Sequence, residues 1–218
     1  MLLEVCTETL EGAMAAEIGG AARIELCSHL DEDGLTPPPA LMREVRTTVQ
    51  LPICAMARPH AGPFHYPTED TLFQMLTDIA RLRDQGADGI VVGMLDLDGQ
   101  IHVDHLERAV AAAGPLPVTF HRAFDGLRDQ AAGLETLIRC GVQRVLTGGG
   151  PGPAEEHLEE LAALVGQAGD RIEILVGGSV REHNLALLKS ATCAEAFHSA
   201  LDRAPTAASV RDLLQAGA

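Results

Sequence analysis

The strongest constraint on what this chain can fold into is an alternation, kept up from end to end, of short apolar runs with longer amphipathic ones. Short runs that alternate apolar and polar residues read as strands; longer runs with apolar residues every three or four positions read as helices. Strand-like runs begin near residues 2, 23, 53, 89, 117, 144, 172 and 194, about 27 residues apart on average. Helical stretches follow each of them, at 9–18, 40–49, 68–85, 103–113, 130–140, 154–168 and 206–215. The seventh runs from the capping-box pattern Ser179-Val180-Arg181-Glu182 to Lys189. Eight consecutive β-α units predict a closed (β/α)8 barrel, the TIM-barrel architecture, as one domain over residues 1–218. An open doubly wound sheet is the rival, but it uses fewer units, and nothing splits these eight into two domains.

Composition narrows the function. With 46% hydrophobic residues the chain is globular, and no apolar run reaches the roughly 18 residues of a membrane span. A formal charge of −15 argues against nucleic acid and anionic membranes, which select basic surfaces. The start, Met1-Leu2-Leu3-Glu4, has neither the basic region nor the cleavage pattern of a signal peptide. The five cysteines, at 6, 27, 54, 140 and 193, are odd in number and form no CxxC, so reduced thiols in the cytoplasm are expected. Barrels often associate, and a homodimer is the expected assembly.

In a barrel, alternate strand residues face the interior and the helix layer. Leu3 and Val5 oppose Glu4 and Cys6; Ile24 and Leu26 oppose Glu25 and Cys27; Ile53, Ala55 and Ala57 oppose Cys54, Met56 and Arg58. If the apolar sets face the helices, the polar sets point inward near the mouth. The fifth strand ends on His121-Arg122-Ala123-Phe124-Asp125, at the rim where such barrels keep their sites. Buried charges must be paired, so Glu4, Glu25, Arg58 and His121 are expected to neutralise one another. Glu4, Glu25 and His121 suit acid–base chemistry, and Arg58 and Arg122 suit an anion. Glycine turns follow the sixth and seventh strands, and the amides of Gly148, Gly149, Gly177 and Gly178 are candidates for a phosphate. The plainer alternatives are structural ion pairs and ordinary turns. Cys54 and Met56 share the inward parity and could add soft ligands, but read first as core. Cys140 and Cys193 read as structural, and His102 and His105 as a solvated helix start. The remaining histidines, at 29, 60, 65, 157 and 183, read as surface residues.

Several blocks together carry a resemblance: Leu3-Glu4-Val5-Cys6, Arg23-Ile24-Glu25-Leu26-Cys27, Gly34-Leu35-Thr36-Pro37, Arg58-Pro59 and the long run from Ala113 through Thr119-Phe120-His121-Arg122 to Asp125. The chain resembles the copper homeostasis protein CutC family from residue 2 to about 200. The resemblance implies a TIM barrel, a cytoplasmic location and a link to copper. The chain departs from the family at Pro63, where an aspartate is usual, and at Gly148, where a serine is usual. It also has a single serine, Ser199, and almost no loop after His198. Cys6 and Cys27 end neighbouring strands, which lie about 4.8 Å apart, so two thiolates there can share one soft ion such as Cu(I). Buried cysteine otherwise behaves as a small hydrophobe. Two readings stand: a Cu(I)-binding protein using Cys6 and Cys27, and an enzyme working on a small anionic or phosphorylated metabolite.

Overall fold

In a computed structural model, eight parallel strands close into a barrel in sequence order. All residues are described except Pro67, with Asp202 described by its backbone alone; Pro67, the expected end of the loop after the third strand, lies outside the described residues. The strands are β1 Leu2–Thr7, β2 Arg23–Leu26, β3 Ile53–Met56, β4 Gly89–Val92, β5 Val118–Phe120, β6 Arg144–Thr147, β7 Glu173–Val176 and β8 Ala196–Ser199. The helices are α1 Leu10–Gly19, α2 Pro39–Thr48, α3 Glu69–Asp84, α4 Val103–Ala113, α5 Gln130–Arg139, α6 Leu158–Ala168, α7 Glu182–Thr192 and α8 Ala207–Ala216. Among the described residues no helix is long and apolar enough to cross a membrane.

Strand parity decides which side chains fill which space. Leu3, Val5, Ile24, Leu26, Ile53 and Ala55 pack outward into one apolar layer against the helices. The interior is mixed: Cys6, Cys27, Cys54, Met56 and Val91 form one small apolar cluster, and Leu146, Leu175 and Ala196 another. Between them lie buried polar side chains, Glu4, Arg23, Glu25, Thr119 and Arg144. Helix starts are fixed locally. The side chains of Thr9, Thr68, Asp129 and Thr206 each accept from a backbone N–H in the first turn that follows, which satisfies donors a helix leaves open.

Three local expectations differ from what forms. The seventh helix is not opened by Ser179, which sits in the left-handed region at φ 59°. Asn184 does that work instead: its side chain accepts from Arg181 N–H at 2.8 Å and donates to the Ser179 carbonyl at 2.9 Å. The sixth helix is entered through a short 3-10 turn, Ala154–Glu156. His102 and His105 are not a solvated start. The His102 ring accepts from the His105 N–H and stacks on the His105 ring at 3.5 Å, and His105 is 4% exposed.

Candidate functional site at the barrel mouth

Register builds the site. Cys6 pairs with Glu25 across β1 and β2, and Glu4 pairs with His198 across β1 and β8. All four point inward, so they stack along the barrel axis. At the base, Arg23 donates through Nε to Glu4 and through Nη2 to Glu173 at 2.7 Å. The other Glu4 oxygen meets His198 Nδ1 at 2.9 Å, and His198 Nε2 lies 3.8 Å from Glu25 Oε2. Above them Cys6 Sγ lies 3.7 Å from Cys27 Sγ. The thiol of Cys6, a Glu25 oxygen and a His198 nitrogen all fall within 4.8 Å of one another.

Burial and neighbours set the charges. Burial alone would raise Glu4, but the hydrogen bond and charge of His198, with Arg23, outweigh it and hold the carboxyl at about 2. Burial would lower His198, yet Glu25 and Glu4 raise it. Burial raises Glu25. The contact with Cys27, then burial and Glu25, push the Cys6 thiol well above its ordinary range. The column therefore holds charge at its base and has protons to lose nearer the mouth.

His121 stands at the end of β5, 4% exposed. Its Nδ1 accepts from Ala123 N–H at 3.0 Å, and its ring lies 4.7 Å from the Phe64 ring. Burial, with the charge of Arg58, lowers it to about 3. A Cβ at position 93 would run into the ring, so Gly93 at the end of β4 makes its room.

A cavity of about 480 Å³ opens over these groups, lined by Cys6, Glu25, His121 and His198 below and by residues such as Arg122 and Arg203 above. The other expected site residues are placed differently. Glu4 does not line the cavity; Arg23 and His198 hold it beneath the floor. Arg58 is not at the rim. It is 1% exposed and donates to the carbonyls of Glu32, Gly34 and Gly62, tying two loops together. Nor do Gly148 and Gly149 offer open amides, because Gly148 N–H is taken by Asp125 and Gly149 N–H by the Thr147 hydroxyl. Gly177 N–H bonds the Thr147 carbonyl, which leaves Gly178 as the glycine at the cavity wall. Arg122 does line the cavity, with Nε on Asp125 at 2.7 Å and Nη2 on the Gly152 carbonyl at 3.1 Å. Sequence reasoning missed His198 and Arg23; Asp125 it placed in the rim cluster without assigning it among the site residues. The signal for His198 was present: along β8 it shares the inward face of Ala196, opposite Phe197.

Comparison with known proteins adds ancestry to this geometry. The model of the CutC family matches residues 1–202. A CutC family protein of Mesorhizobium japonicum is 45% identical over 94% of this chain and 80% of its own length. The human copper homeostasis protein cutC homolog is 43% identical over 90% of this chain and 72% of its own. A crystal structure of CutC from Streptococcus agalactiae superposes with a TM-score of 0.88 at 30% identity, covering 92% of this chain and 98% of that one.

Proposed function

Because the chain belongs to the CutC family, we propose that it serves copper homeostasis by binding Cu(I) at the barrel mouth through Cys6 and Cys27. The observation that carries this reading is the pair of buried sulfurs 3.7 Å apart. With thiolate–metal bonds of about 2.3 Å, as zinc makes, sulfurs at 3.7 Å subtend about 107° at one ion. A linear two-coordinate ion would need them about 4.6 Å apart. The arrangement therefore suits a bent site with a third ligand, and a His198 nitrogen and a Glu25 oxygen lie within 4.8 Å of the Cys6 sulfur. Glu4 fits such a role for His198. A carboxylate on Nδ1 fixes the ring and its tautomer and leaves Nε2 to face an ion. Thiolates select soft ions such as Cu(I). All five cysteines stand unpaired, which suits a reducing, cytoplasmic setting.

Competition against a Cu(I) chelator tests this. The double variant Cys6→Ser, Cys27→Ser is expected to lose tight binding, while Cys140→Ser and Cys193→Ser keep it. Equal affinity in parent and double variant would place any copper elsewhere. The enzyme reading, with Glu4, Glu25 and His121 as a catalytic set, is weakened because Glu4 is held beneath the floor by Arg23 and His198.

A further inference from the structure

The cavity is far larger than one ion needs, and about 480 Å³ falls within the range of small-molecule sites. Two polar atoms of its wall residues, Glu25 Oε1 and His121 Nε2, are buried and have no hydrogen-bond partner among the described residues. Buried polar atoms are nearly always satisfied, so two orphans in one cavity call for a partner. The chemistry of one is fixed by geometry. His121 Nδ1 accepts from Ala123 N–H, so a neutral ring carries its proton on Nε2. Burial keeps the ring neutral. A buried N–H donor on a residue of the cavity wall thus has nothing to receive it.

The wall also carries arginines, beside Asp33 and Asp125. Arg122 is anchored by Asp125 and the Gly152 carbonyl, which pins its guanidinium at the wall. Arg203 also lines the cavity, is exposed, and has no side-chain partner among the described residues. In a chain of formal charge −15, an arginine at a cavity mouth with no partner among the described residues is out of keeping with the rest of the composition. Arginine suits carboxylate and phosphate by its planar fork of donors.

We propose that this cavity binds a small hydroxylated anion, its carboxylate or phosphate held by Arg203 and Arg122 and its hydroxyl or carbonyl oxygens reaching His121 Nε2 and Glu25. The site shares a floor with the sulfurs but does not depend on copper.

Calorimetric titration of chelator-treated, metal-free protein tests this without involving the copper reading. The probes are glycerate and glycerol 3-phosphate, which share hydroxyls and differ in the anion, with glycerol and inorganic phosphate as controls. At least one of the two probes should saturate one site, and whichever binds better identifies the anionic group. Glycerol and inorganic phosphate should each bind about tenfold more weakly or worse. Arg203→Ala and His121→Ala should each weaken the preferred probe by about tenfold, and His121→Gln, which keeps a donor, should recover part of that loss. The proposal fails if neither probe saturates by about 10 mM. It also fails if inorganic phosphate binds as tightly as the preferred probe, or if Arg203→Ala leaves the affinity unchanged. Should His121→Ala not fold, the exposed Arg203 decides the outcome alone.

Discussion

Replacing Arg23 with methionine should be among the most damaging single changes to the barrel interior. Arg23 is 8% exposed and Glu4 only 1%, so the carboxylate left behind starts from a buried position. Removing one member of a buried ion pair costs about 3–5 kcal/mol, mostly because the other charge stays buried. Here Glu4 keeps its bond to His198, so the lower end, about 3 kcal/mol, applies. Independently, a carboxyl held at about 2 instead of 4.5 implies stabilisation of its charged form by about 3 kcal/mol at neutral pH, shared between His198 and Arg23. For a chain of this length, about 3 kcal/mol lowers Tm by roughly 6–12 °C. Urea unfolding and calorimetry at pH 7 would read it. The double variant Glu4→Gln, Arg23→Met removes both charges and should regain at least half of the loss. Acid also separates charge from packing. Glu4 is lowered in the folded state, so its contribution is complete above about 4.5 and disappears as pH falls toward 2. Without Arg23 the folded value moves up, so the cost of the substitution should shrink between pH 5 and pH 3. A cost below about 1 kcal/mol at pH 7 would refute the reasoning, as would one unchanged by acid.

His121 makes a second prediction about pH. Its folded value of about 3 lies below the ordinary 6.5, so between these limits the unfolded chain takes up a proton that the folded chain refuses. Stability should fall as pH drops from 6.5 toward 3, and His121→Gln should flatten that part of the urea-midpoint curve. His198→Asn tests the bent metal geometry: Cu(I) affinity should drop by at least about tenfold in chelator competition, whereas two sulfurs acting alone would leave it unchanged.

The barrel was readable because two independent periodicities agree. Along β1, Leu3 and Val5 alternate with Glu4 and Cys6, and the same parity holds on β2 and β3. Facing side chains are then set by period alone, and that is why Cys6, Cys27 and Glu25 could be placed together. Parity stops where pairing stops. β3 ends at Met56, so Arg58, two residues on, is no longer aimed by the sheet; the carbonyls of Glu32, Gly34 and Gly62 aim it. The glycine turn after β6 fails for another reason. Gly148 and Gly149 look like open donors in sequence, but their use depends on Asp125 and on the Thr147 hydroxyl, which itself donates to Asp125. Such a contact joins residues from two different loops and leaves no trace in local pattern.

What the sequence hid is also what makes the site work as a unit. Arg23, Glu4, His198 and Glu25 form one column in which each group sets the charge of the next. Arg23 keeps Glu4 ionised, Glu4 holds the His198 ring by Nδ1, and the ring's other nitrogen is left between Glu25 and Cys6. Burial raises Glu25, and the acids raise His198, so the pair favours holding a proton. On the proposed reading, an ion at the sulfurs would displace that proton along with those of the thiols. Copper uptake should then release protons and weaken as pH falls. The column beneath the floor has no direct contact with the cavity at Glu4, yet it fixes which nitrogen faces the sulfurs. A base that stayed uncharged would leave the ring free to turn, and the three donor atoms would no longer converge on one point.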